Sequence, residues 1–152
     1  KKDLINGLFK ASELDSRIIV EEGLIARELE CAALGTNEIK ASEVGEVNLQ
    51  SDWYDYEAKY LQSTSSSIIP ANIPNHIKNI VQNLTIKACE VISSRGIARV
   101  DFFYNEKNDN VLINEINTLP GFTNKSMYPG LWAASGISLP ELVSHLVKSA
   151  QT

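Results

Sequence analysis

The sequence predicts an α+β fold, and three observations lead to that prediction. Apolar residues recur at helical spacing in some segments and alternate as in strands in others. The strand-like residues 97–117 have a polar, turn-forming centre, which is typical of an antiparallel hairpin. With 152 residues, 43% of them hydrophobic, the chain can bury one good core, so we expect a single domain or a large piece of one.

Composition excludes several classes of function. The net charge of −5 and the pI near 5.0 disfavour nucleic-acid binding, because phosphate backbones are held by clustered Lys and Arg. No apolar run approaches the roughly 20 residues that cross a bilayer, and no signal peptide is visible. Cys31 and Cys89 form no metal or redox spacing with each other or with His76 and His145, which indicates reduced, packed thiols in a cytoplasmic protein.

The chain opens with a predicted helix, whose apolar stripe consists of Leu4, Ile5, Leu8 and Phe9. It begins without methionine and has no capping residue before the stripe. We therefore expect a piece of a longer protein, which ends naturally in an amphipathic helix.

Three strands and a long loop are expected next. Arg17–Glu22 is rich in β-branched residues, Arg27–Ala33 is its expected neighbour, and Glu43–Leu49 is a short strand. Ser51–Ser67 has no sustained periodicity, and a segment of this length is usually a functional lid or disordered. We expect it to be highly mobile.

Two helices are expected in the second half of the chain. The first covers about Asn75–Arg95, and Gly96 suits the left-handed position after its last turn. The second begins with a capping box formed by Ser138 and Glu141. Its buried stripe is predicted to consist of Leu142, Val143, Leu146 and Val147.

The hairpin of residues 97–117 carries the informative polar residues. If it is centred on Asn108, Asp101 lies opposite Glu115, and Arg99 lies opposite Asn117. Side chains alternate along a strand, so these four share one face of the sheet. The opposite face, against the helices, is then formed by Ala98, Val100, Phe102, Leu112 and Ile116.

Two carboxylates that face each other repel, so something must compensate them. Asp, Glu and an Asn carbonyl are hard oxygen ligands, which suit Mg²⁺ and not zinc. Because Mg²⁺ often shares its ligand shell with substrate phosphates, this pattern suggests nucleotide chemistry. Alternation alone leaves a second interpretation open, a solvated strand face with an Arg–Asp ion pair.

Four segments of the chain resemble the D-alanine–D-alanine ligase family. The C-terminal signature of that family resembles GIARVDFF at residues 96–103 and NEINTLPGFTNKSMYP at residues 114–129. YDYEAKY at residues 54–60 is similar to its mobile ω-loop, and EEGL at residues 21–24 is similar to its adenine hinge. The match is collinear over essentially all of the chain.

The resemblance implies the C-terminal domain of an ATP-grasp enzyme, with a mainly antiparallel sheet packed against helices. It implies that residues 1–152 are an incomplete part, without the N-terminal domain and most of the central domain. The ligands of two Mg²⁺ ions, for which Mn²⁺ can substitute, would be Asp101, Glu115 and Asn117.

The resemblance also assigns the nucleotide and substrate contacts. Arg99 and the Gly121 N–H would stabilise the phosphoryl group and the tetrahedral intermediate. Ser126 and the Met127 backbone would bind the second D-alanine, and Gly121 would share in that site. The ATP contacts would be Glu21, Glu22, Leu24, Glu28, Phe103 and Asn114.

Three of these residues also have an interpretation without a functional role, and the resemblance assigns roles to two further residues in the ω-loop. Glu28 could be an ordinary strand-face carboxylate, and Phe103 a core aromatic residue. A lone loop serine such as Ser126 is normally just solvated. In the ω-loop, Lys59 would approach the ATP phosphates and Tyr60 would close over the acceptor amine.

The reaction implied is ATP-dependent, ADP-forming ligation of two D-alanines through an acyl phosphate, for peptidoglycan precursors in the bacterial cytoplasm. The family is commonly homodimeric. The alternatives are a D-Ala-D-Ser or other ATP-grasp carboxylate–amine ligase, and a non-catalytic nucleotide-binding module.

Overall fold

The computed structural model describes residues 2–48 and 66–151, in which four helices and five strands are formed. The helices are α1 (Lys2–Ser12), α2 (Asn75–Val91), α3 (Met127–Ala134) and α4 (Leu139–Ser149). The strands are β1 (Arg27–Gly35), β2 (Lys40–Asn48), β3 (Ser66–Ile68), β4 (Gly96–Asn105) and β5 (Asn110–Asn117). The predicted α+β class is confirmed.

The five described strands form one sheet in the order β3-β2-β1-β4-β5. Every neighbouring pair is antiparallel, as the family resemblance implies. β1 and β4 lie side by side, with Arg27 opposite Tyr104 and Gly35 opposite Gly96, although these partners are 77 and 61 positions apart in sequence. This pairing brings the first strand of the chain against the polar hairpin.

One face of the sheet packs against α2 and forms the main core. Side chains alternate along the strands, so every second residue of β1 and β4 points into this core. Its buried members include Leu29, Cys31, Val44, Ile77, Val81, Val100, Phe102 and Tyr104.

The other face is covered at one end by α3 and α4. Here Ala32 and Leu34 pack against Tyr128, Leu131 and Trp132. The Tyr128 hydroxyl also donates a hydrogen bond to the Ala33 carbonyl oxygen at 2.8 Å, which fixes α3 against β1.

A glycine in β2 allows α3 to approach the sheet. A Cβ atom at Gly45 would lie 2.7 Å from Met127 Cε and 2.8 Å from Leu131 Cδ2. The absence of a side chain therefore sets the distance between β2 and the start of α3.

The beginning of the chain departs from expectation in two ways. Arg17–Glu22 was predicted as a strand, and it forms no regular structure. A β-branched run becomes a strand only when another strand pairs with it, and in the described chain none does. Helix α1 forms as predicted, but Leu4, Ile5 and Phe9 are exposed and no residue of α1 is buried.

Helix α2 ends earlier than predicted, at Val91 instead of near Arg95. Ser93 adopts the left-handed conformation, with φ 54°, and the Ser94 N–H bonds the Cys89 carbonyl oxygen at 2.9 Å. These contacts close the last turn. Gly96 also has positive φ, but it begins β4 and does not cap the helix.

Helix α4 has the predicted capping box. The Ser138 N–H and hydroxyl donate to Glu141 Oε2 at 2.8 and 2.6 Å. Leu142 is fully buried and Leu146 is half-buried, but the predicted burial of Val143 and Val147 is wrong. α4 packs mainly against α3, so only one narrow side of it is covered.

The two cysteines are free and buried, as expected. Burial raises the pKa of the Cys31 thiol to about 11 and also raises the pKa of Cys89, so both thiols stay neutral near pH 7. Among the described residues, no helix has the length and apolar character needed to span a membrane.

Candidate functional site

The polar hairpin has the predicted register where the key residues lie. Asp101 is opposite Glu115, and Arg99 is opposite Asn117. The pairing then shifts by one residue between Asp101 and Phe102, so β5 has a bulge with Asn114 as its extra residue. The single register expected for the whole hairpin is therefore right at its open end and wrong towards its turn.

The bulge changes which face two apolar side chains occupy. Phe103 lies opposite Leu112, on the face that carries Asp101. Leu112 is 42% exposed, so its predicted place in the core is wrong. Ile113 takes the position opposite Phe102, although it too remains 43% exposed. A one-residue shift moves every later side chain to the other face, which accounts for the exchange.

β1 extends the polar face on the other side of β4. Glu30 lies opposite Asp101, so three carboxylates form a row across β1, β4 and β5: Glu30, Asp101 and Glu115. We call this the acidic row. Sequence reasoning missed Glu30, although its spacing from Glu28 placed both on one face of β1.

A second row runs parallel to the acidic row, two residues along the strands. It contains Glu28, Phe103 and Leu112, in that order across the sheet. We call this the apolar row, because two of its three side chains, Phe103 and Leu112, are apolar. Phe103 is half-buried and points away from the α2 core, so the alternative that it is a core aromatic residue is wrong.

Arg99 is held between two members of the acidic row. Its Nε and Nη2 donate to Asp101 Oδ1 and Oδ2, both at 2.7 Å. Its Nε also lies 3.1 Å from Glu30 Oε2. The side chains of Arg99, Asp101 and Glu30 are only 18%, 15% and 11% exposed, so these ion pairs are poorly screened by solvent.

Asn117 closes the cluster from β5. Its amide Nδ2 donates to Asp101 Oδ2 at 3.0 Å and to Glu115 Oε1 at 3.2 Å. One carboxylate oxygen of Asp101 and one of Glu115 therefore converge on the Asn117 amide nitrogen, on one face of the sheet. Half a turn of the Asn117 amide would present its carbonyl oxygen to the same point.

Burial and charge act in opposite directions on the ionisable groups. Burial raises the pKa of Asp101, and although Arg99 lowers it, the net shift is upwards. Burial lowers the pKa of Arg99, but Asp101, Glu30 and Glu115 together raise it above its ordinary value. Arg99 is therefore a permanent positive charge inside an acidic cluster.

The donor set fits a hard divalent cation that also binds other ligands. Asp101, Glu115 and Asn117 offer carboxylate and amide oxygens, the groups that Mg²⁺ prefers. Within residues 2–48 and 66–151, no three His, Cys, Asp or Glu side chains are arranged to hold a metal alone. A cation here would need the Asn117 amide, water or phosphate oxygens to complete its shell, which is the usual situation for Mg²⁺.

The loop after β5 leads to the start of α3. Ser126 directly precedes the helix, and its hydroxyl oxygen accepts the Thr123 N–H at 3.0 Å and lies 2.9 Å from Thr123 Oγ1. A Cβ atom at Gly121 would lie 3.0 Å from Ser126 Oγ, so the two predicted substrate residues are close together. Met127 is the first residue of α3, where backbone N–H groups are free to bind an anion.

The remaining predicted residues lie in less regular parts of the chain. Glu21, Glu22 and Leu24 are exposed in the segment before β1, without regular secondary structure. Asn114 is exposed in the bulge. Lys59 and Tyr60 lie outside the described residues, as do residues 51–65 of the predicted mobile segment.

The fold is similar to that of solved ligase structures. The D-alanine–D-alanine ligase from Coxiella burnetii has a TM-score of 0.81 and 35% identity, over 98% of this chain and 38% of that one. The VanG D-Ala:D-Ser ligase from Enterococcus faecalis has a TM-score of 0.85 and 32% identity, over 97% of this chain and 43% of that one.

The chain belongs to the D-alanine–D-alanine ligase C-terminal family, because the family model described as "D-ala D-ala ligase C-terminus" matches residues 1–148. A curated D-alanine–D-alanine ligase from a strain of Prochlorococcus marinus is 58% identical over 150 residues. One from a strain of Synechococcus is 50% identical over 151 residues. Each alignment covers 99% of this chain, which spans 43% of the length of these relatives.

Proposed function

We propose that this chain forms the ATP-binding C-terminal part of a D-alanine–D-alanine ligase. The enzyme would join two D-alanines to D-alanyl-D-alanine for peptidoglycan precursors, with ATP consumed and an acyl phosphate formed on the first substrate. The observation that carries the proposal is the convergence of Arg99, Asp101, Glu115 and Asn117 on one face of the sheet, in a chain of this family.

In this proposal, the two rows on the sheet bind different parts of ATP. The apolar row offers Phe103 and Leu112 to the adenine base, and Glu28 at its end accepts hydrogen bonds from the ribose hydroxyls. The acidic row lies two residues further along the strands, at the terminal phosphates. Glu21, Glu22, Leu24 and Asn114 complete the nucleotide contacts.

The negative charge of the phosphates is neutralised by Arg99 and by the Mg²⁺ that the proposed metal ligands would hold. Asp101, Glu115 and Asn117 would hold Mg²⁺, which when bound supplies positive charge to the phosphate oxygens. Arg99 donates from a fixed guanidinium to the phosphoryl group as it is transferred. Because its ion pairs hold it in place before the reaction, little reorganisation is required of it.

The acceptor is proposed to bind beside this cluster, at the start of α3. The Ser126 hydroxyl and the Met127 N–H bind the carboxylate of the second D-alanine, and the Gly121 N–H donates to the oxyanion of the tetrahedral intermediate. Lys59 and Tyr60 are proposed to belong to a loop that closes over the site and excludes water, which would hydrolyse an acyl phosphate.

The test is acceptor competition with the complete ligase polypeptide that carries this sequence. D-Ala, D-Ser and D-lactate would be supplied together with ATP and Mg²⁺, and the products separated by mass. We expect D-alanyl-D-alanine as the main product, with ADP release that requires D-alanine. Release of ADP without D-alanine dependence, or ligation of unrelated substrates only, would refute the proposal.

A second candidate is D-alanine–D-serine ligation, which the similarity to the VanG ligase favours. The two activities share the cation and phosphate chemistry, so Arg99 and Glu115 do not separate them. The same competition experiment decides, because an excess of the mixed dipeptide over D-alanyl-D-alanine would identify the second candidate.

A further inference from the structure

We propose that Glu30 is a positioning residue that holds the Arg99 guanidinium in place for phosphoryl transfer. The inference rests on the proposed ligase function and adds a residue that the sequence pattern did not indicate. Glu30 lies directly opposite Asp101 in the acidic row, and its Oε2 is 3.1 Å from Arg99 Nε.

Because Glu30 is buried, its negative charge requires a positively charged partner close by. Its side chain is 11% exposed, and an ionised carboxylate at that depth is costly unless a positive charge compensates it. Arg99 supplies that charge from the neighbouring strand. Arg99 is thus paired with Glu30 as well as with Asp101.

A second anchor matters because Asp101 has two proposed tasks. It binds Arg99 with both carboxylate oxygens, and it is also a proposed cation ligand. Oxygens that bind a cation hold a guanidinium less firmly, since the two positive charges repel each other. Glu30 keeps a contact with Nε that does not depend on Asp101, while other N–H groups of the five on a guanidinium remain for a phosphoryl oxygen.

The kinetic test compares Glu30→Gln with a matched control in the complete ligase. Glu43→Gln is the control, because Glu43 is also a part-buried β-strand glutamate, ion-paired at 2.8 Å with Lys78 outside the proposed site. For Glu30→Gln we expect kcat to fall about 10-fold or more, with KM for ATP changed less than about threefold. Glu43→Gln should leave both near wild type, and Glu30→Asp, which keeps the charge, should recover part of kcat.

A double-mutant cycle separates positioning from a purely structural role. If Glu30 acts through Arg99, Glu30→Gln should have little further effect on kcat in an Arg99→Lys background. Independent, multiplying effects would overturn the proposal, as would a Glu30→Gln enzyme with kcat within twofold of wild type.

A readout without turnover keeps this proposal separate from the proposed function. In the ¹⁵N-labelled complete ligase, the Arg99 Nε–H proton should exchange slowly with water. Its resonance should shift or broaden in Glu30→Gln but not in Glu43→Gln. An unchanged Arg99 resonance refutes the role of Glu30 whatever the reaction. Wild-type enzyme without D-alanine-dependent turnover refutes the ligase function instead.

Discussion

At the scale of single residues, the site brings like charges together and compensates them with hydrogen bonds. Asp101 and Glu115 face each other across β4 and β5, where two carboxylates destabilise a sheet. Arg99 binds one of them with two hydrogen bonds, and the Asn117 amide bridges both. Among the residues that the structure describes, the compensation is incomplete, because Glu30 adds a third carboxylate to the row.

This excess negative charge leads to a prediction for Glu115→Gln in the complete ligase. Turnover should fall on the order of 10³-fold, because the substitution removes a charge from the cluster that stabilises the transition state. The melting temperature in EDTA should not fall, since a repulsive pair is relieved. Steady-state ADP release and circular dichroism measure the two effects.

The matched control for that variant is Glu106→Gln. Glu106 is exposed in the hairpin turn and pairs with Arg27 at 3.1 Å, away from the acidic row. This variant should keep wild-type turnover. If Glu115→Gln also keeps near-normal turnover, the proposed metal site is wrong.

At the scale of secondary structure elements, local pattern predicted the hairpin but not its irregularity. Alternation in β4 and the polar turn were sufficient to place Arg99 and Asp101 opposite Asn117 and Glu115. The pattern did not predict the bulge, because a bulge depends on how two strands pair. Its signal in the sequence is the adjacent polar pair Asn114–Glu115, which breaks the alternation of β5.

Non-local pairing also explains the other differences. Glu30 joins the site only because β1 pairs with β4, and a single sequence does not reveal pairing between segments so far apart. Arg17–Glu22 has the composition of a strand without a partner in the described chain. The capping box of α4, in contrast, depends on residues three positions apart, and it was predicted correctly.

The contact between β2 and α3 allows a prediction for Gly45→Ala. The added methyl would meet the ends of the Met127 and Leu131 side chains at less than 3 Å, so both side chains must shift at the start of α3. We expect a loss of about 1–3 kcal/mol in stability from overpacking. Because the proposed acceptor site begins α3, KM for the acceptor should rise more than KM for ATP.

Gly7→Ala is the matched control for this change. A Cβ atom at Gly7 in α1 would meet nothing within 4 Å, so the same methyl should be neutral or stabilising there. Thermal unfolding and separate titrations of acceptor and ATP measure the effects. Equal increases in both KM values would contradict the role of α3 in acceptor binding.

The capping box of α4 should make the stability of this helix depend on pH. Hydrogen bonds from the Ser138 hydroxyl and N–H lower the pKa of Glu141 below its ordinary value of 4.5. A lowered folded-state pKa stabilises the helix above the unfolded-state pKa, and this contribution is lost as pH falls through the folded-state value. Glu141→Gln should therefore weaken α4 at pH 7, and this effect should shrink as the pH falls below 4.5.

Hydrogen exchange of the α4 amides, compared between variant and wild type at the same pH, measures that difference. Lys148→Gln, in the last turn of the same helix, serves as the control and should not alter the acid-side dependence, because Lys148 does not contribute to the lowered Glu141 pKa. A difference between Glu141→Gln and wild type that does not shrink as the pH is lowered from 7 to well below 4.5 would exclude the proposed linkage.

At the scale of the whole molecule, the described chain exposes apolar surface that folded domains normally cover. Leu14, Ile19 and Ile25 are more than four-fifths exposed and follow one another between α1 and β1. Exposed apolar surface of this kind usually marks a contact with another part of a protein. The curated relatives are more than twice as long as the aligned region, which supplies sequence for such contacts.

Because the chain spans 43% of the length of these relatives, we expect a polypeptide of residues 1–152 alone to show no detectable D-alanine-dependent ADP release and to bind ATP weakly. By the family resemblance, the first alanine site and the phosphate-binding lysines would lie outside this chain.

The charges of the site indicate how the short chain should bind ATP. The three carboxylates of the acidic row outnumber the single positive charge of Arg99, so the negatively charged phosphates of ATP meet an excess of negative charge. Weak ATP binding should therefore strengthen as Mg²⁺ is raised, which calorimetric titration at several Mg²⁺ concentrations measures. The complete ligase is the positive control, and circular dichroism verifies that the short chain is folded. Robust D-alanine-dependent ADP release by the short chain would contradict the prediction, because residues 1–152 would then contain the whole catalytic apparatus.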